Sequence, residues 1–322
     1  MSPRPRTLVA TAARWFDTWS SDPAAEGGDP RRVDWLRILP LLFLHAGCLA
    51  VIWVGVSPTA VVVAAALYLV RMFVITAFYH RFLSHKTYQP RRAVQVIFAI
   101  IGSSSVQRGP LWWAAHHRHH HAYSDKPEDV HSFRQDGFFW SHIGWITSRV
   151  HFRTRLERVP DLAAYAELRF LDRFDLMVPA LLAATLLGLG RLLAAYAPSL
   201  GTSGLQLLVW GFFVSTSVLL HATLSINSIA HLWGRRRYAT SDDSRNSALL
   251  ALITLGEGWH NNHHHYPNSV RQGFAWWEFD LTYYGLWLMA RLGLVRNLRP
   301  VPARVLAALH APALPPVAVG HA

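Results

Sequence analysis

Four apolar stretches limit what this chain can fold into. Residues 38–56, 58–79, 176–197 and 205–230 each approach the roughly 20 apolar residues that a helix needs to cross the hydrocarbon of a bilayer. Each must be helical, because a backbone N–H or C=O in lipid has no water to bond. Two shorter runs, 94–106 and 248–255, fall below spanning length and are expected at the interface or re-entering it. The expected fold is an all-α integral membrane protein. Four transmembrane helices pair as two hairpins, and the polar segments form a helical cap on one side.

Composition agrees. The chain is 52% hydrophobic and only 16% charged, too apolar for an ordinary soluble domain. It carries 14 Trp, a residue suited to membrane interfaces. The net charge of +12 raises the question of nucleic acid. The basic residues flank the apolar spans instead of forming one patch, so charge beside lipid headgroups accounts for them and no nucleic-acid partner is expected. The 56–58 turn and the 198–204 loop carry no charge, whereas segments 31–37, 80–173 and 234–299 are dense in Arg. By the positive-inside rule the Arg-dense side, with both termini, is cytoplasmic.

Three regions follow: a polar arm over 1–34, a core domain over 35–300 and a loose Pro- and Ala-rich tail over 301–322. The arm has no apolar core of a signal peptide and holds at most a short amphipathic turn from Leu8 to Trp19. The single Cys48 lies inside an apolar run, which excludes a disulfide framework and any Cys-based zinc site. Lys occurs only at 86 and 126 among many Arg. That bias suggests a GC-rich bacterial source, and hence a bacterial inner membrane.

The placement of the 19 histidines carries the chemistry. His80 and His85 follow the second span. His117, His120 and His121 lie in "AAHHRHHHAYSD", His231 ends the fourth span, and His260, His263 and His264 lie in "GEGWHNNHHHYP". On a helix, positions i, i+3 and i+4 share a face, so H-x-x-H-H aims three imidazoles at one point. The pair at H-x4-H meets only if the helix unwinds slightly. Nine imidazoles exceed the needs of one metal ion and suit two, with four or five ligands each. Spacing alone leaves zinc, copper, nickel and iron open, and it fits 116, 119, 120 as well as 117, 120, 121. His45, His151, His310 and His321 are expected to be solvated or simply hydrogen-bonded. His142 reads as packing or as a group supporting the metal ligands from behind, and His221 as a bond to a neighbouring helix.

These motifs make the chain resemble the membrane fatty acyl desaturases, specifically the stearoyl-CoA desaturase branch, from about residue 35 to 295. "HRFLSH", "HRHHH", "NSIAH" and "GEGWHNNHH" match that family's boxes in order and spacing, and "GFFWSHIGW" matches a further stretch. The resemblance implies two iron ions held by His80, His85, His117, His120, His121, His231, His260, His263 and His264, with Asn227 acting through a water. It selects the register at His117-Arg118, where the family has Arg after the first ligand. It implies insertion of a cis double bond into a long saturated acyl chain, at Δ9 of an acyl-CoA, with O2 consumed and water released. Substrate contacts are implied at Gln107, Arg108, Trp113 and Thr223. Electrons are expected from a separate donor, a ferredoxin or a small haem protein with its reductase.

The chemistry agrees with the residues. An unactivated methylene offers no acidic proton and no electrophilic carbon, so a redox metal with dioxygen is needed, and the protein's share is positioning. Carboxylates that accept the far ring N–H would orient the imidazoles. Asp125, Asp129, Glu257 and Asp280 are the candidates, Glu257 foremost. The match also departs. Ala115-His116 stand where animal enzymes have Arg-Asp at the CoA surface, and Arg108 replaces an Asn. That opens acyl carrier protein or a phospholipid as carrier. Leu224 replaces a Trp and alters the expected tunnel wall. Two alternatives stand beside the desaturase. One is a hydroxylase of the same superfamily. The other is a non-enzymatic membrane metal-binding protein, which the lack of acidic partners within the spans disfavours.

Overall fold

A computed structural model of the chain describes residues 13, 16–20, 28–35 and 37–307. The tail from 308 onward and most of the arm, including its turn from Leu8, lie outside the described residues. In chain order the main helices are α1 (Leu39–Val54), α2 (Pro58–Ser84), α3 (Arg92–Ser103), α4 (Pro110–Tyr123), α5 (Phe133–His142), α6 (Ala166–Arg173), α7 (Met177–Tyr196), α8 (Gly204–Leu232), α9 (Ala248–Ile253), α10 (His260–His265) and α11 (Leu281–Arg291). One two-residue strand pair, Gln89–Pro90 with Val295–Arg296, ties the start of the cap to its end.

Three helices, α2, α7 and α8, are long and apolar enough to cross a membrane, where four were expected. The first stretch, 38–56, falls short. At 1.5 Å per residue α1 extends about 24 Å, less than the roughly 30 Å hydrocarbon core. Its ladder tightens after Cys48, where the Leu49 and Ala50 N–H groups donate to Ala46 and Gly47, three residues back. Gly47 lies against the Phe213 ring with no room for a Cβ, so α1 is held close on α8. The runs at 94–106 and 248–255 fall largely in the short helices α3 and α9, both below spanning length.

The spanning helices differ in how much they bury. Only 17% of the apolar window of α7 is buried, and Leu181, Leu189 and Leu192 face outward, as lipid requires. Helix α8 is 61% buried and forms the centre, with Leu207, Leu220 and Leu224 packed on Leu44, Ala60 and Leu186. A second core joins the end of α2 to the cap, with Phe78, Tyr79 and Leu83 against Leu111, Ala115 and Leu168.

Polar groups inside the bundle are satisfied from neighbouring helices. Arg71, 1% exposed in the middle of α2, donates to Leu67 O, Ser104 O, Thr216 Oγ1 and Ser215 Oγ. These bonds fix α2 to α8 and to the loop after α3 without a counter-ion. A row of histidines joins α1, α8 and α5. His45 Nε2 lies 3.0 Å from His221 Nε2, His221 Nδ1 2.9 Å from His142 Nε2, and His142 Nδ1 2.9 Å from Ser228 Oγ. The expected neighbour of His221 is thus found on both of its sides, and His45 belongs to this row rather than to solvent. At the N-terminal side, the indole of Trp19 donates to Asp172 at 2.8 Å, fastening residues 17–20 to α6.

The α7–α8 hairpin closes on glycine. A Cβ on Gly190 would stand 2.5 Å from Ser203 O, and one on Gly204 2.7 Å from Leu187 O. Such close backbone approach is how small residues pack helices in lipid. Gly190→Val and Gly204→Val are each expected to cost about 1–3 kcal/mol by overpacking. Gly188→Val, whose Cβ meets nothing within 4 Å, serves as the neutral control. Thermal unfolding in detergent micelles checks the contrast.

Candidate metal centre

The last part of α2 is wound wider than an α-helix, with i→i−5 bonding from Ile75 to Ser84. His85 N–H donates to His80 O, five residues back. That winding is the unwinding H-x4-H needs, and it points His80 and His85 the same way. Helix α4 brings His117, His120 and His121, the end of α8 brings His231, and α10 brings His260, His263 and His264.

The nine histidines fall into two groups. His80, His85, His117, His121 and His263 form one, and His120, His231, His260 and His264 the other, each with its ligand nitrogens within 4.8 Å of one another. The box 117, 120, 121 therefore serves both groups from one helix. His116 and His119 belong to neither. His119 Nε2 turns outward to Glu128 O at 2.9 Å.

Carboxylates hold the far nitrogens. His120 Nδ1 lies 2.9 Å from Asp129, His231 Nδ1 3.0 Å from Asp125, His264 Nδ1 2.6 Å from Asp242, and His80 Nδ1 bonds Glu257. Burial alone would raise these carboxyls. The hydrogen bonds and charges of their histidines outweigh it, and Asp125, Asp129 and Asp242 lie well below the usual carboxylate range. Each carboxylate accepts a hydrogen bond from Nδ1–H and so turns Nε2 toward the group. Burial first, then the neighbouring imidazoles, keeps His117, His121, His260 and His263 neutral at pH 7.

Of the expected carboxylates, Asp125, Asp129 and Glu257 each meet a histidine, and Asp280 does not. Asp280 caps α11 through the Tyr283 N–H, accepts from Gln272 N–H and pairs with the fully buried Arg81 at 2.9 Å. Asp242 escaped sequence reading, because it lies 22 residues before its histidine with no local motif. His131 also escaped. It packs on His120 at 4.4 Å and shares Asp129 with it.

The facing nitrogens test the fit to metal. His80 and His263, His121 and His263, and His231 and His260 present Nε2 to Nε2 at 3.0 Å, and His85 and His117 at 2.9 Å. Two nitrogens at right angles on one ion, each about 2.1 Å away, stand about 3.0 Å apart. The donor set, neutral imidazole without thiolate or water-exposed oxygen, suits a first-row transition ion.

Two cavities that share part of their walls adjoin these groups. The larger, about 1110 Å³ including its mouth, has Gln107, Arg108, Trp113, Thr223, Leu224 and Asn227 on its wall. The smaller, about 420 Å³, is lined by Met72, Ile75 and Ile226 together with His80, His117 and His260, and so touches both histidine groups. Trp113, His117, Thr223 and Asn227 are common to both and form a waist. Gln107 Nε2 donates to Thr223 Oγ1 at 3.0 Å, and Trp113 stacks on His117 at 4.9 Å. Val106 and Arg108, beside Gln107, both have positive φ (57° and 66°), strain of a kind that gathers at ligand sites.

Comparison with known proteins agrees with this arrangement. Residues 31–296 match the family model for fatty acid desaturase. The chain is 32% identical over 283 residues to the sn-2 palmitoyl-lipid 9-desaturase of Nostoc sp. (strain 36), covering 87% of this chain and 95% of that protein. It is 34% identical over 271 residues to the sn-1 stearoyl-lipid 9-desaturase of Anabaena variabilis, covering 83% and 94%. It is 36% identical over 229 residues to the icosanoyl-CoA 5-desaturase of Limnanthes douglasii, covering 70% and 60%. The chain belongs to the fatty acid desaturase family.

Asp242→Asn replaces the charged acceptor of His264 Nδ1 with a neutral amide that can also present N–H to it. Metal affinity at the four-histidine group is expected to fall about 10–100-fold, with the five-histidine group unchanged. Competition titration against a chromophoric chelator resolves the two sites.

Proposed function

We propose that residues 35–300 form an oxygen-dependent di-iron desaturase that places a cis double bond at Δ9 of a long saturated acyl chain. The observation that carries this reading is the smaller cavity, an apolar space whose wall includes members of both histidine groups. His80, His85, His117, His121 and His263 would hold one iron, and His120, His231, His260 and His264 the other. Asn227, at the waist, would reach the second through a water. Bound iron would supply the dioxygen chemistry by which one O2, two electrons and two protons become two waters while the chain loses two hydrogens.

The protein's own residues bind and position. Burying the chain contributes about 0.8 kcal/mol per methylene, so a long tail has affinity to spare and register is the difficulty. Trp113 and Thr223 narrow the cavity beside His117, and the Gln107 bond to Thr223 keeps that waist rigid. Met72, Ile75 and Ile226 keep water from the deeper part. Asp125, Asp129, Asp242 and Glu257 hold protons on Nδ1, so the ligand nitrogens keep their aim.

Relatives named for lipid-linked and for CoA-linked substrates both align with this chain. The two cyanobacterial relatives named for acyl-lipids align over 94–95% of their own length, and Ala115, His116 and Arg108 depart from the acyl-CoA pattern; both support a glycerolipid acyl chain over the acyl-CoA suggested by the motifs. The Arg-dense cap would face the cytoplasm of a bacterial inner membrane. There a ferredoxin or small haem protein with its reductase would deliver electrons, steered by opposite charge.

Expression with a saturated lipid pool followed by mass spectrometry tests the reaction. Loss of two hydrogens at C9–C10 is expected, and gain of one oxygen would identify a hydroxylase instead. His120→Ala is expected to lower turnover more than 100-fold with folding retained, while His119→Ala keeps most of it.

A further inference from the structure

Among the described residues three tryptophans are buried, and two have a partner: Trp112 Nε1 donates to His151 O at 2.6 Å and Trp259 Nε1 to Phe279 O at 2.7 Å. Trp145, 5% exposed, has no acceptor for its N–H, and His116, 4% exposed, has none for either ring nitrogen among the described residues. The two rings adjoin, 5.5 Å apart, and Trp112 stacks on Trp145 at 5.4 Å and tilts on His116 at 4.5 Å. Both line the larger cavity. Buried polar groups are almost always paired, so two adjoining unpaired ones on a cavity wall point to a ligand that pairs them.

Their chemistry narrows the ligand. An indole N–H only donates, and a neutral imidazole offers one further donor. The wall around them carries Ile38, Leu41, Ile146, Leu176 and Leu220 beside a polar side formed by Gln107, Arg108, Asp175, Thr223 and Asn227. A phosphate would require a free cation, and both arginines of the wall are engaged: Arg108 donates to Phe152 O at 2.7 Å and lies 3.5 Å from Asp175, and Arg37 lies over the Phe152 ring at 4.6 Å. A neutral acceptor flanked by hydrocarbon fits better.

Resting on the desaturase reading above, we propose that Trp145 and His116 bind the carbonyl oxygen of the acyl linkage, ester or thioester, and so set which carbons reach the histidine groups. The link between grip and centre is rigid. His116 precedes His117 in α4, and Trp145 packs on His131 at 4.9 Å, which packs on His120 at 4.4 Å. The distance between carbonyl and metal groups is therefore built into the fold and acts as a ruler for double-bond position.

Trp145→Phe keeps the ring and deletes the N–H. In detergent micelles, with the protein as purified, this variant is expected to bind methyl stearate about tenfold more weakly while octadecane, which has no carbonyl, binds unchanged. His116→Leu should behave alike and His116→Gln should recover part of the loss, with metal content and thermal unfolding preserved in all three. Among the products, Trp145→Phe and His116→Leu should spread the double bond over neighbouring positions. Stearoyl-CoA and distearoyl phosphatidylcholine, titrated in parallel, separate the thioester from the ester source by which one the wild type binds more tightly. Equal weakening toward methyl stearate and octadecane, or unchanged binding with a single product position, overturns the proposal. Carbonyl-dependent binding in a wild type that makes no alkene upholds the grip and overturns the desaturase reading.

Discussion

The structure depends on a confrontation of lone pairs. Nine imidazoles are driven into two small spaces with their ring nitrogens face to face. Four bond a carboxylate through Nδ1. Facing lone pairs repel where no proton or cation lies between them. A cation bound at the centre of each group would turn that repulsion into coordination, and its binding free energy would become folding free energy for the segments that carry the histidines. The carboxylates make the arrangement selective, because each fixes both the tautomer and the ring plane.

The support for this convergence is spread across the chain. Asp125 and Asp129 come from the loop after α4, Asp242 from the loop after α8 and Glu257 from the turn before α10. Arg81, buried between Glu257 and Asp280, joins the end of α2 to that turn and to α11. The apolar bundle supplies the fixed base, with Arg71 and the His45–His221–His142 row tying its helices together where hydrocarbon would otherwise leave polar groups unpaired.

Much of this was legible in the sequence, for a physical reason. Spanning helices announce themselves by length and apolarity, and i, i+3, i+4 spacing announces a shared helical face, so both are local signals. The nine histidines and three of four orienting carboxylates lie where local signals exist. What escaped depends on distance or shape. Asp242 meets His264 only through the fold, and Asp280 lies near a box in sequence yet turns to Arg81. The 38–56 stretch is apolar enough to span, but its ladder tightens after Cys48 and shortens the helix. The meeting of the two cavities at Trp113 and Asn227 is a property of packing that no spacing encodes.

The wide winding from Ile75 to Ser84 sets a limit on how this segment can vary in length. An ordinary α-helix advances about 100° per residue, so five residues carry a side chain about 140° from where it began. Only the wider winding lets His80 and His85 look the same way. Removing one residue between them would leave the i, i+4 spacing that an ordinary α-helix already keeps on one face, whereas rewinding the stretch at its present length would not. Winding and length are therefore linked here: five residues from ligand to ligand require the wide helix, and four would require the ordinary one.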